Sequence, residues 1–438
     1  MSASVSASAS ASDCDVAVVG AGAAGLAAAR SLSVAGLTVH VLEARDRIGG
    51  RILTHHVPGF PLPLELGAEF VHGWAGEIWD LVRAAGLAVV EAGKRHDLAR
   101  DGGLVPAPDL RGPLAELTGR AQGLDADRPI ADVLRAMSLA PDTHAVLLSY
   151  VEGFHAVDAR RASARALAKV ESGEGSGSSV GFRILSGYGS LIEHLRRALP
   201  ADAVELEAPV TRIRWAPGSV EVDRANGLPV RARAVVVTVP APVLASADGP
   251  AFEPALPEKA AALGCIASGA AVRVVLRFRT SWWDQLAGAR RSGEPVGFIH
   301  MPDAALPTWW TPAPIRAPLL VGWAGGPAAA RFAGWDDATL IATGLETLAG
   351  AFALPRARFR ELLIDGRTYD WSADPWSRGA YSYVVAGGDG AQARLAEPVA
   401  GTVFFAGEAT HSGGEHASVH GAIATGVRAA REVIASLR

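Results

Sequence analysis

The sequence predicts an α/β protein made of a dinucleotide-binding domain and a second α+β domain, with the first discontinuous along the chain. Three observations predict this. A strand, glycine loop, helix and strand follow one another over residues 15–43. A second buried strand leads into a helix over residues 402–436. Between them, alternating apolar and polar stretches at residues 210–223 and an apolar run at 232–239 read as further strands.

At 438 residues, 49% apolar and 20% charged, the chain is long enough for about two to three domains. The net charge of −4 and the lack of a long lysine or arginine block argue against nucleic acid as a partner. No continuous apolar run reaches the roughly 18 to 20 residues of a spanning helix, so no membrane partner is expected. Cys14 and Cys265 alone make neither a disulfide framework nor a thiolate zinc cluster, and two reduced thiols fit a cytoplasmic setting. The Ser/Ala-rich run Met1–Ser12 lacks the basic start and apolar core of a secretory signal and reads as a disordered tail.

Asp15–Val19 reads as a buried strand running into Gly20-Ala-Gly22-Ala-Ala24-Gly25, with a helix expected over Leu26–Val34. Gly20 permits the tight turn, Gly22 lets backbone N–H groups approach a pyrophosphate, and Gly25 lets helix and strand pack closely. Gly36 stops the helix, Thr38–Leu42 forms the second strand, and Glu43 stands where a carboxylate grips ribose hydroxyls. An acid there disfavours a 2′-phosphate.

The continuation Glu43-Ala44-Arg45-Asp-Arg47-Ile-Gly49-Gly50-Arg51 resembles the extended fingerprint of the glutathione-reductase-like FAD enzymes, in particular the flavin amine oxidase branch (monoamine and polyamine oxidases and lysine-specific demethylases). Arg45 and Arg51 supply cationic donors beside the phosphate loop, and Gly50 leaves room for the cofactor. Leu66-Gly67-Ala68-Glu69-Phe70-Val71-His72-Gly73 resembles the segment that passes beside the flavin ring. His72 matches a position that faces substrate in several polyamine oxidases; a histidine hydrogen-bonded in a buried turn is the bland alternative.

Residues 92–179 are Ala, Arg and Leu rich and predict helices of a substrate domain, followed by a linker at Glu174–Ser179 and a return to the cofactor domain near Ile184-Leu-Ser-Gly187-Tyr-Gly189. The resemblance places adenine on the backbone of Val210. It reads Ala406-Gly407-Glu408 and the helix opening at Val419 as a second FAD motif, whose N-terminal dipole points at the flavin. Domain boundaries follow: 13–85, 184–245 and 386–438 for the FAD domain, 86–183 and 246–385 for the substrate domain. No long heptad insert of the histone demethylase type appears, although the last motifs resemble that branch most closely. His416 and His420, four apart, suggest a metal pair only weakly, and no metal is expected.

Trp371-Ser-Ala-Asp374-Pro-Trp376-Ser-Arg-Gly379-Ala380-Tyr381 resembles the stretch that sets an aromatic over the substrate face of the flavin, a role falling to Tyr381, with Trp371 beside the cofactor. Relatives with covalent FAD carry cysteine where Ala380 stands, so non-covalent FAD is implied. Ser418 matches the second aromatic of a cage and leaves that cage half open. Arg273, in Val272-Arg-Val-Val-Leu-Arg-Phe278, stands where the family usually has the lysine that holds a water at flavin N5. Arginine stays protonated and cannot act as a base.

The resemblance therefore implies hydride transfer from the α-carbon of a small-molecule amine to FAD, giving an imine, with oxygen (yielding hydrogen peroxide) or another electron acceptor taking the electrons. Its rivals are an amino acid oxidase, a flavin-dependent dehydrogenase or desaturase, and a lapsed flavin-binding scaffold. The amine and the oligomeric state stay open.

Overall fold

The computed structural model describes residues 13–172 and 180–438; the tail expected over Met1–Ser12 and the linker expected at Glu174–Ser179 lie outside them. Val16–Val19 is buried along its whole length, as a strand covered on both faces must be, which is why it reads as an unbroken apolar run. It pairs in parallel with Val39–Leu42 on one side and Ala234–Val237 on the other. Val204–Glu205 and Val403–Phe405 complete a five-stranded parallel sheet.

Helix Ala23–Val34 packs on helix Val419–Leu437, and small side chains make the approach close. A Cβ on Gly426 would lie 2.2 Å from the Ala24 carbonyl oxygen. Ala24, Ala27 and Ala28 share a core with Ala429, Ala430 and Val433, so the two ends of the chain are locked together. Two sequence boundaries shift. The first helix begins at Ala23, not Leu26, with Gly22 at its N-cap, because the glycine loop itself supplies the first turn. The run expected as one strand over residues 232–239 is split: Val230–Ala232 joins an antiparallel sheet with Ser219–Arg224, and Ala234–Val237 joins the parallel one.

The second architecture is a seven-stranded sheet, in the order Leu363–Asp370, Ala271–Phe278, Leu319–Gly325, Thr308–Trp310, Phe298–His300, His96–Arg100, Gly103–Pro106. Its register sets Arg273 opposite Trp323 and Tyr369. One face packs on helix Asp337–Phe352 around Trp309, Phe278 and Phe352. The all-helical expectation for residues 92–179 is corrected at its start: 96–106 is a β-hairpin whose first strand pairs with Phe298–His300, about 200 residues away, a partner that local periodicity cannot reveal. The remainder is helical, Arg111–Gln122, Ile130–Arg135, Pro141–Phe154 and Ala164–Glu171, around Leu117, Leu134, Leu147 and Leu167.

Candidate active site

The three glycines of the N-terminal loop are bare for different reasons. Gly20 has φ +105° and a Cβ there would lie 2.6 Å from Thr238 Oγ1; a Cβ on Gly25 would lie 1.9 Å from the Gly20 carbonyl oxygen. Both are demanded by the protein's own packing. A Cβ on Gly22 would meet nothing nearer than Gly50 Cα at 3.9 Å. Packing does not require that glycine, and it lies at the mouth of a helix with no side-chain cap, where unpaired N–H groups favour an anion. The loop thus fits a pyrophosphate.

Glu43 braces this loop from behind. Its 3% exposed carboxylate accepts from the Ala21 amide at 2.7 Å and the Arg45 amide at 3.0 Å, and each oxygen keeps a second acceptor position. Arg45 is held in turn, donating to Asp374 at 2.6 Å and Ser377 at 2.7 Å. Arg51 donates to the Ala380 carbonyl and to Glu408, both at 2.8 Å. Glu408 also accepts from the Ser382 hydroxyl at 2.6 Å and the Ala417 amide at 3.0 Å. Burial alone would raise the Glu408 carboxyl; the charge of Arg51 and these hydrogen bonds outweigh it and hold the group below the ordinary carboxylate range.

These groups line one cavity of about 980 Å³. Gly20, Gly22, Ala24, Glu43, Ala44, Arg45, Gly50, Arg51 and Val210 edge it on the dinucleotide side. Gly67, Ala68, Glu69, Phe70, His72, Arg273, Trp371, Tyr381, Gly407, Glu408, Ser418 and Val419 continue its walls. Gly25 alone of the expected site residues does not reach it, since its bareness serves the contact with Gly20. Gly67 must be bare: a Cβ would lie 2.1 Å from the Arg51 carbonyl oxygen and 3.0 Å from the Trp371 ring, whose Nε1 donates to the Leu66 carbonyl. The Ser418 hydroxyl caps the last helix, accepting from the Gly421 amide at 3.0 Å and donating to the Glu415 carbonyl at 2.6 Å.

On the side of the larger sheet, Arg273 is 4% exposed. Its Nη1 donates to the Glu65 carbonyl at 2.7 Å and to the Glu69 carboxylate at 3.1 Å, and the guanidinium lies over Trp310 and Trp323 at 5.3 and 5.5 Å. Glu69 also accepts from Arg183 at 2.7 Å and from the Trp310 indole at 3.1 Å. His72 meets Phe154 edge-on at 5.4 Å, and burial pushes its imidazole down to about 4, so it is neutral at ordinary pH. His72 ends the short strand Val71–His72, which pairs with Gly181–Phe182, and its ring edges the cavity. Tyr381 donates to the Phe154 carbonyl, and burial raises its phenol, so it stays protonated.

Burial also pushes the Glu65 carboxyl up to about 7, against the hydrogen bonds it accepts from the Tyr188 amide and Thr54. An acid raised on folding stabilises the fold fully below its ordinary value of 4.5, and that contribution is lost as pH rises through about 7. The melting temperature of the FAD-free protein is expected to fall between about pH 4.5 and 7, and Glu65→Gln to flatten that slope, as a thermal melt series would show.

Sequence reading missed several cavity residues. Trp310 and Trp323 reach the wall through strand register, and Tyr150, His155 and Glu171 meet across two helices. The spacing of 16 residues between His155 and Glu171 carries no helical or strand signature. Among the described residues no group of three or more His, Cys, Asp or Glu side chains could hold a metal ion, and His416 and His420 both lie in the cavity wall. No helix among the described residues is long and apolar enough to cross a membrane.

The sequence profile of flavin containing amine oxidoreductases matches residues 23–140 and 125–434. Lysine-specific histone demethylase 2 of Homo sapiens is 30% identical over 451 residues, covering 94% of this chain and 52% of that protein. Polyamine oxidase 1 of Oryza sativa subsp. japonica is 30% identical over 502 residues, covering 94% of this chain and 96% of that protein. Wild-type putrescine oxidase bound to putrescine superposes with a TM-score of 0.80 at 23% identity, over 96% of this chain and 99% of that one. Cyclohexylamine oxidase from Brevibacterium oxydans gives 0.79 at 23%, over 97% and 99%. The chain spans about half the length of the demethylase relatives it matches.

Proposed function

Since the chain belongs to the flavin-containing amine oxidoreductase family, we propose that it holds FAD non-covalently in this cavity and oxidises a carbon–nitrogen bond of a small amine. The observation that carries this reading is Gly22. It is a glycine the protein's packing does not need, at a helix mouth opening into the cavity. Bound there, FAD supplies the acceptor for a hydride from the carbon next to the amine nitrogen. The iminium ion left by hydride loss would hydrolyse in water, and the electrons would go to oxygen as hydrogen peroxide or to another acceptor.

The chain's own groups do the positioning. Glu43 would offer its remaining acceptor positions to ribose hydroxyls, and the helix opening at Val419, whose first residue lines the cavity, would set its positive end toward a bound flavin. Val210, which lines the cavity, would hold the adenine with its backbone. Ala380, its carbonyl held by Arg51, provides no thiol for a covalent link. Tyr381 and His72, with Phe154, form an aromatic wall that orients a neutral amine and excludes water. Arg273 provides fixed positive charge, not a base. The division of the chain that goes with this reading is 13–85, 184–245 and 386–438 for FAD, 86–183 and 246–385 for substrate. The two unpaired thiols support a cytoplasmic setting.

One observation favours an amino acid oxidase as the second reading. Arg273 lies in the same cavity as Tyr381, close enough for its charge to be felt there, and its buried Nε has no hydrogen-bond partner among the described residues. Against a carboxylate clamp, Glu69 already meets that charge at 3.1 Å.

The test is an anaerobic screen of amines and amino acids against the FAD-loaded protein, following loss of flavin absorbance. Bleaching by amines supports the proposal, bleaching by amino acids alone supports the second reading, and no bleaching favours a scaffold. A peroxide assay with and without an artificial dye then assigns the acceptor. Tyr381→Ala is expected to keep its FAD and lose roughly 10- to 100-fold in bleaching rate, about 1–3 kcal/mol of barrier, as stopped-flow absorbance would measure.

A further inference from the structure

A primary amine at neutral pH is overwhelmingly an ammonium ion, whereas loss of hydride from its α-carbon needs the nitrogen lone pair. An amine-oxidising cavity therefore needs somewhere to put one proton. Arg273 offers only donors. Burial drives His72, His416 and His420 each down to about 4 and His300 to about 3, which makes all four poor proton acceptors.

His155 is built differently. Its Nε2 lies 2.7 Å from Glu171 Oε1, with side-chain exposures of 10% and 5%, and the Tyr150 hydroxyl donates to that same oxygen at 3.1 Å. A carboxylate on Nε2 fixes the proton there and leaves Nδ1 as the lone-pair nitrogen. Nδ1 has no hydrogen-bond partner among the described residues, and His155 lines the cavity. No other cavity histidine described has a carboxylate so placed; His420 comes no nearer to Glu415 than 3.8 Å. His155 follows directly on Phe154, whose carbonyl accepts the Tyr381 hydroxyl and whose ring stacks on Tyr150 at 5.1 Å. The dyad therefore adjoins the wall that faces substrate.

We propose that His155, positioned by Glu171, takes the proton from the bound ammonium and so presents a neutral amine for oxidation. The proposal rests on the amine-oxidising reading above. In this step an ammonium N–H bond breaks and a His155 Nδ1–H bond forms, and no electrons are transferred. The imidazolium faces the Glu171 carboxylate until the proton returns to water after the imine leaves. His155 is the catalytic residue here and Glu171 a positioning residue.

The experiment compares FAD-loaded wild type, His155→Gln and Glu171→Gln by anaerobic stopped flow, using putrescine and cyclohexylamine as probes from about pH 6 to 10.5. At pH 7 His155→Gln is expected to bleach roughly 100-fold more slowly than wild type, and Glu171→Gln roughly tenfold, both converging on wild type near pH 10 where free amine is abundant. A merely structural role would give the same deficit at every pH. A wild-type rate at pH 7 in His155→Gln, or a pH-independent deficit in both variants, would overturn the proposal. If His155→Gln fails to hold FAD, the pH profile of Glu171→Gln decides. Wild-type flavin that neither probe nor any screened amine bleaches would sink the amine-oxidising reading itself, and this step with it.

Discussion

Gly22→Ala is expected to leave the FAD-free protein at least as stable as wild type while weakening FAD binding roughly 5- to 150-fold, the equivalent of about 1–3 kcal/mol of overpacking at the point of closest approach. Gly22 has φ −77°, which alanine adopts freely, and the added methyl touches only Gly50 Cα at 3.9 Å. Losing glycine's freedom in the unfolded chain should even add about 0.4–1 kcal/mol. Gly25→Ala should behave oppositely. Its methyl would press to 1.9 Å from the Gly20 carbonyl oxygen, so the FAD-free protein itself should melt lower. Melting curves without FAD, combined with FAD titration by flavin fluorescence, separate the two. Equal loss of stability in both variants would make Gly22 an ordinary packing glycine.

Glu408→Ala is expected to destabilise the protein by about 3–5 kcal/mol, because it leaves the Arg51 charge, the Ser382 hydroxyl and the Ala417 amide without their shared partner. Arg51 is 25% exposed at its side chain and Glu408 7%, so water replaces little of what is lost. Glu408→Gln keeps the shape and removes only the charge, and should lie between Glu408→Ala and wild type. The pH dependence has a definite sign. Because the folded carboxyl is held below its ordinary value, its contribution is complete above the ordinary carboxylate range and disappears as pH falls through the depressed value. Denaturant titrations from neutral pH down to about pH 3 should therefore show wild type losing its advantage over Glu408→Gln.

What the sequence made legible was local. Gly20, Gly22, Gly25 and Glu43 announce themselves because a phosphate loop needs its glycines at fixed spacing and its strand and helix on either side, within some 30 residues. The strands Val16–Val19 and Val403–Phe405 were readable because a doubly covered strand must be apolar throughout, and Val39–Leu42, which carries the half-buried His40, by its alternation. What stayed hidden was made by pairing at long range. Arg45 meets Asp374 and Arg51 meets Glu408 across more than 300 residues, and nothing in either segment names its partner. The hairpin over residues 96–106 hid in an Ala/Leu/Arg-rich stretch because its stabilising neighbour is Phe298–His300. Arg273 was visible as an oddity, but its clamp by Glu69 and its Trp310 and Trp323 walls appear only once the sheet register is known.

The claim on which the rest stands is that the cavity between the two sheets is a flavin site, and the visible spectrum of the purified protein, before and after incubation with FAD, tests it most directly. The prediction is a yellow protein that takes up FAD to one equivalent per chain and gives it back intact on denaturation. A colourless protein that takes up no FAD would contradict it.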